Sequence, residues 1–131
     1  MRFAKLVFRI AGIWGVLVLV PFYFLYDSVG TASPPPVTHP EFYYGFFAVG
    51  LVWQIAFLLI GSDPLRYRPI MIPAMLEKFS YVLTLVVLYL QKRLTLAQTL
   101  PIIPDGILGI LFVAAFFRTK NDRPSLRAQG A

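Results

Sequence analysis

The apolar positions of this chain come in long unbroken runs. Residues 42–61 read FYYGFFAVGLVWQIAFLLIG, without a charge and with Gln54 as the one strong polar side chain. A spanning helix needs about 20 mainly apolar residues to cross a hydrocarbon core of roughly 30 Å. Three further stretches approach that standard, so the pattern predicts helices at about residues 6–26, 41–61, 70–91 and 96–118. The fold class expected is an all-α membrane protein, an antiparallel bundle of four transmembrane helices in one integral domain. Residues 119–131 form a polar tail beyond it.

The polar punctuation fits this division. The first run follows Arg2, Lys5 and Arg9, as a secretory signal peptide would. It is longer than a signal core and ends in the aromatic cluster Phe22-Tyr23-Phe24-Leu25-Tyr26, so an uncleaved first span is expected. Residues 27–40, DSVGTASPPPVTHP, make a long loop in which Pro34, Pro35 and Pro36 favour an extended course. In SDPLRYRP, residues 62–69, Asp63 suits an N-cap and Pro64 the first helical position, which predicts a short interfacial turn. Pro73 falls in the first turn of the third helix, where a missing N–H is tolerated. The fourth helix is interrupted by Pro101 and Pro104. From residue 105 to 118 there is only about 20 Å of helix. Either this helix starts earlier and bends, or residues 96–104 enter as a partly unwound segment.

Composition narrows the chemistry. The chain is 58% hydrophobic and 14% charged, against about 25% charged in an average soluble domain. There is no cysteine, which excludes disulfides, thiolate catalysis and cysteine-ligated metal clusters. His39 is the single histidine, so a bis-histidine haem within one chain is excluded. No metal motif and no cofactor is read from the sequence. The net charge of +6 does not point to nucleic acid, because the basic residues sit at helix ends. Arg2, Lys5, Arg9, Arg66, Arg68, Arg118, Lys120, Arg123 and Arg127 share one side of the expected topology, against Lys92 and Arg93 on the other. The positive-inside rule then places both termini in the cytoplasm of a cell whose inner membrane holds the protein.

Glu77 is the foremost candidate for chemistry, since ionisable groups at membrane depth face the bundle interior or water. Ser80, Tyr81 and Thr84 follow it at helical spacings. An antiparallel hairpin places Gln54 in the same layer, with Trp14 at similar depth and Arg66 and Arg68 just below. Two readings stand side by side. One is a polar ligand pocket on the cytoplasmic half; the other is a hydrogen-bonded clasp between helices, worth about 0.6–2 kcal/mol per bond. The adjacent Lys78 is expected to point away and snorkel to the interface. Asp27, His39, Glu41 and Asp105 form an outer polar cluster that is either solvated or a proton or metal site, with Asp105 also suited to cap the fourth helix. Phe22, Tyr23, Tyr26, Phe42, Tyr43, Tyr44 and Tyr89 read as an interfacial belt or as the mouth of a site for a flat lipophilic molecule. Ala11 with Gly15, Gly45 with Ala48 and Gly50, and Gly106 with Gly109 mark close-packing faces.

The stretch from His39 to Arg93, with HPEFYYGFF, Trp53-Gln54, DPLRYRP and Leu76-Glu77-Lys78, resembles a widespread type of small bacterial inner-membrane protein. The four-helix plan resembles the DoxX-like proteins and, more remotely, the EXPERA group of sterol isomerases and sterol-binding proteins. That resemblance implies an acidic residue and aromatics around a sterol-like ligand; no catalytic residue is carried over. The expected role is non-enzymatic: binding a lipophilic molecule, or attaching to a membrane protein partner or a second copy. Two alternatives remain open, an isomerase-like enzyme with Glu77 as acid or base and an oligomeric transporter.

Overall fold

The computed structural model describes residues 1–129, with side chains as far as residue 120. It is all-helical among the described residues: α1 (Arg2–Leu19), α2 (Tyr26–Ala32), α3 (Pro40–Ser62), α4 (Met71–Leu90) and α5 (Ile102–Gln129). Together with flanking 3-10 turns, four of these give stretches long and apolar enough to cross a bilayer. They are Arg2–Phe24, Pro40–Ser62, Arg68–Leu90 and Ala97–Lys120, of 23, 23, 23 and 24 residues. Each is about 35 Å long at 1.5 Å per residue. The expected four-helix membrane bundle is the observed architecture.

The local chemistry explains most boundaries. Pro21 lacks an N–H and crowds the preceding turn, so α1 tightens into a 3-10 segment over Val20–Phe24. The expected loop after it is partly helical: α2 occupies Tyr26–Ala32, and only residues 33–39 are irregular. Pro40 opens α3 at the first helical position. Asp63 then acts as predicted, its Oδ1 accepting the Arg66 N–H at 3.2 Å and its carbonyl the Tyr67 N–H at 3.0 Å. Pro104 sits in the first turn of α5, where the lost N–H costs no helical bond, so α5 is one continuous helix from Ile102. A 3-10 turn at Ala97–Thr99 brings the chain to it. At the far end α5 runs on through the segment expected as a tail; the side chains of Arg123 and Arg127 lie outside the described residues.

Helix α4 ends in a left-handed residue. Lys92 has φ 58°, and the Arg93 N–H reaches back to the Leu88 carbonyl at 2.9 Å. This is the Schellman arrangement, in which glycine is usual because a Cβ is disfavoured there. Lys92→Gly is expected to raise stability by about 1 kcal/mol. An unfolding titration that shows no gain would mean that the lysine side chain contributes something the turn geometry does not account for.

Packing joins the spans as two hairpins. Helices α1 and α3 run antiparallel along a seam of small residues. A Cβ on Gly12 would meet Leu58 and the Gln54 carbonyl at 2.6–2.9 Å, one on Gly61 would meet Arg9 at 2.8 Å, and one on Gly15 would land on the Gln54 amide. The seam thus includes Gly12 and Gly61 besides Gly15, with Ala11 buried on the same helix, whereas Gly45 and Gly106 have open space where a side chain would be. Helix α5 packs along α4, and α1 along α5, while α3 and α4 barely touch. The centre is a stack of rings from three helices, Phe8, Phe57 and Phe112, all fully buried. Phe8 lies 4.2 Å from Phe112 and Phe57 5.0 Å from it, centroid to centroid.

The two ends differ. At one, Arg68 Nε and Nη2 donate to the Phe116 carbonyl at 3.3 and 3.2 Å, and Arg118 lies over the Phe3 ring at 4.2 Å. These contacts bring the start of α1, the turn before α4 and the far part of α5 to one basic end. At the other, the aromatics pack on one another: Phe22 on Phe47 at 4.7 Å, Tyr26 on Tyr44 at 5.4 Å and Tyr23 on Tyr44 at 5.9 Å. The Tyr26 and Tyr43 hydroxyls donate to the carbonyls of Val37 and Phe22, both at 2.7 Å. Partial burial, then the neighbouring Tyr44, Asp27 and Glu41, push the Tyr26 phenol above its ordinary value, so it stays a donor at neutral pH.

Candidate functional site

The polar centre of the bundle is built on Lys78, not beside it. Adjacent residues on a helix point about 100° apart, and in α4 it is Lys78 that turns inward. Its side chain is 7% exposed, and its Nζ lies 3.1 Å from Asp105 Oδ1 on α5 and 3.4 Å from Glu77 Oε2. The Phe57 ring of α3 lies beneath, 5.3 Å from the ammonium to the centroid. The expectation that Lys78 snorkels to the interface is corrected: in a bundle interior an ammonium is stabilised by a carboxylate and a ring face, and both are within reach here. A hydrogen bond from Lys78 to Asp105 ties α4 to α5 across 27 positions of sequence.

Asp105 therefore leaves the outer cluster in which its position in the chain had placed it. With α5 starting at Ile102, it lies one turn inside that helix and faces α4. Of the remaining three, His39 Nδ1 lies 3.2 Å from Glu41 Oε1, both side chains being about two-thirds exposed. Asp27 is exposed in the first turn of α2. Among the described residues no three His, Asp or Glu side chains gather closely enough to hold a metal ion.

Glu77 lies at the edge of the polar centre. Its Oε2 is buried and receives no hydrogen bond, having only the ionic contact with Lys78. Its side chain, 22% exposed, forms part of a groove on the α3–α4 side of the bundle. The groove has a volume of about 580 Å³ and is lined by Trp53 of α3 and by Pro73, Leu76, Glu77, Phe79, Ser80 and Leu83 of α4. Leu76 and Leu83 are each 63% exposed, so the groove opens sideways, where lipid tails would lie. It exists because α3 and α4, although consecutive spans, are held apart by the packing of α1 against α3 and of α5 against α4.

The other side chains of the expected pocket scatter around it. Gln54 is buried, but its Nε2 donates to its own helix at the Gly50 carbonyl, 2.9 Å away, and its amide packs on Gly15 of α1. Ser80 and Thr84 bond back to the carbonyls of Glu77 and Ser80, at 3.1 and 2.8 Å. Tyr81 sets its ring 5.8 Å from Phe46 of α3. Arg66 is exposed beside the Tyr67 ring, and Arg68 is engaged with Phe116, whereas the cation beside Glu77 is Lys78. Trp14 is 51% exposed on the outer face of α1. The indole that does flank Glu77 is Trp53.

What the arrangement can do follows from its parts. A carboxylate with a buried, unbonded oxygen accepts a hydrogen bond or holds a proton. An apolar trough open to the side admits a hydrophobic body from the bilayer. No protein-family model matches the chain, and no curated protein or solved structure matches it either.

Proposed function

We propose that this small multi-pass membrane protein is a non-enzymatic binder of a lipophilic molecule, which enters the α3–α4 groove from the bilayer and meets Glu77 with its polar end. The observation that carries this reading is the Glu77 carboxylate in the wall of an otherwise largely apolar trough of about 580 Å³: Lys78 holds its Oε2 from the buried side at 3.4 Å, and the side chain, 22% exposed, lines the trough. A small-molecule site is typically an apolar pocket with a few placed polar groups, and the carboxylate is the group that would fix the polar end of what enters. The likeness to DoxX-like proteins belongs to the same proposal, as does an inner-membrane location with both termini in the cytoplasm. The concentration of basic residues at one end supports that orientation.

Native mass spectrometry of the protein released gently from membranes tests the reading. A stoichiometric small molecule is expected to leave with the wild type and to be lost in Glu77→Gln. The variant keeps the Lys78–Asp105 pair, so its melting temperature is expected to stay close to that of the wild type. A bare chain, or one that leaves only with a fixed protein partner, would overturn the proposal in favour of an accessory-subunit role.

A further inference from the structure

Resting on the groove reading above, we infer that the ligand is a lipophilic cation: a molecule with a delocalised or substituted ammonium-type charge on an apolar body. The inference comes from a charge count over the four spans. The lysine and arginines of α1, which lie against Gly61 at the end of α3, and Arg68, Arg118 and Lys120 belong to the basic end, and Glu41 to the outer one, which leaves Glu77, Lys78 and Asp105 inside the bundle. The structure gathers all three, with both carboxylates within 3.4 Å of the one ammonium. The elements packed around them add no further charge. Helix α3 contributes the neutral Gln54, Trp53 and Phe57, helix α1 contributes Phe8, and α4 itself adds only the phenol of Tyr81. Two carboxylates and one ammonium leave the cluster one negative charge in excess. An uncompensated charge at this depth is costly, so the site holds a further positive charge, either a proton or a bound cation.

The walls decide which cation competes with the proton. A small hydrated ion would have to shed its water for one carboxylate and the Ser80 hydroxyl, because Pro73, Leu76, Phe79 and Leu83 offer no oxygen ligands. A bulky organic cation has little hydration to lose, and those same side chains match its apolar body. Trp53 supplies the aromatic face that recognises such charges, on the same groove as Glu77. Lys78 is already engaged with Asp105, so Glu77 is the carboxylate left to a ligand.

Two probes of the same shape and opposite charge make the test: tetraphenylphosphonium and tetraphenylborate, with triphenylphosphine oxide as a neutral control. The full chain in nanodiscs would carry Trp14→Phe, which leaves Trp53 as the sole indole reporter. The phosphonium is expected to quench Trp53 saturably at one per chain, at least tenfold more tightly than the borate. Its affinity is expected to fall about tenfold in Glu77→Gln and to weaken as the pH is lowered, since protons take the same place. Equal binding of phosphonium and borate, or phosphonium binding untouched by Glu77→Gln, would overturn the inference. Should the neutral oxide alone bind in a Glu77-dependent way, the groove reading stands and the charge class is wrong. If none of the three reaches Trp53, both fail.

Discussion

Replacing Lys78 with methionine is expected to destabilise the bundle by about 3–5 kcal/mol, the cost typical of breaking a buried ion pair from one side. Methionine matches the length of the aliphatic stem, so the loss is electrostatic: it leaves Asp105 and Glu77 facing each other without a counter-charge. The partner that should relieve the strain is known from the geometry. Adding Asp105→Asn to Lys78→Met is expected to recover at least half of the loss, because a neutral pair has no such desolvation problem. Unfolding the wild type, both single variants and the double variant in a mixed-detergent titration gives the coupling energy directly. A coupling below about 0.5 kcal/mol would show that the pair adds little to stability.

Phe112→Ala is expected to cost a comparable amount, about 3–5 kcal/mol. Its ring is wholly buried and touches Phe8 of α1 and Phe57 of α3 from its own place on α5. Lipid tails are as apolar as phenylalanine, so the loss is one of van der Waals contact and the cavity left behind rather than of transfer from water. Phe117 provides the internal control. It lies on the same helix but is 59% exposed, and Phe117→Ala is expected to stay within about 0.5 kcal/mol of wild type under the same titration. Equal effects at the two positions would mean that the Phe8–Phe57–Phe112 stack is not the centre of the fold.

The spans were legible because hydropathy over about 20 residues is a strong signal in a bilayer, where every backbone group must be satisfied within the helix. Asp63 was legible too, since its cap uses bonds three and four residues away. What was hidden is which of two neighbours, Glu77 or Lys78, faces inward. That is settled by Asp105, a residue 27 positions on, and by the depth at which α5 begins. Asp105 falls at the surface if Pro104 interrupts the helix, and inside the bundle if Pro104 sits in a first turn, where a proline interrupts nothing. One signal could have recovered the pairing: a lysine at mid-span requires a carboxylate on a neighbouring span, and residues 102–117 contain only Asp105. Spacing does not single out Gly12, because α1 has small residues on several faces. Periodicity alone does not say which of these faces meets α3. The indole of the groove was Trp53 rather than Trp14 for the same reason, a question of helix rotation that depth does not address.

The way the helices pair also bears on the order in which a ribosome delivers them. Spans one and two form a hairpin whose seam, from Gly61 against Arg9 to Gly50 against Leu19, uses residues of those two helices alone. The last two spans form a second hairpin that carries its own ion pair. Each can therefore close as it leaves the insertion machinery, the second with its charges already neutralised in part, and the bundle is complete once its first and last helices meet through Phe8 and Phe112. The opening beside Glu77 is then the one junction between neighbours that this sequence of events never has to seal.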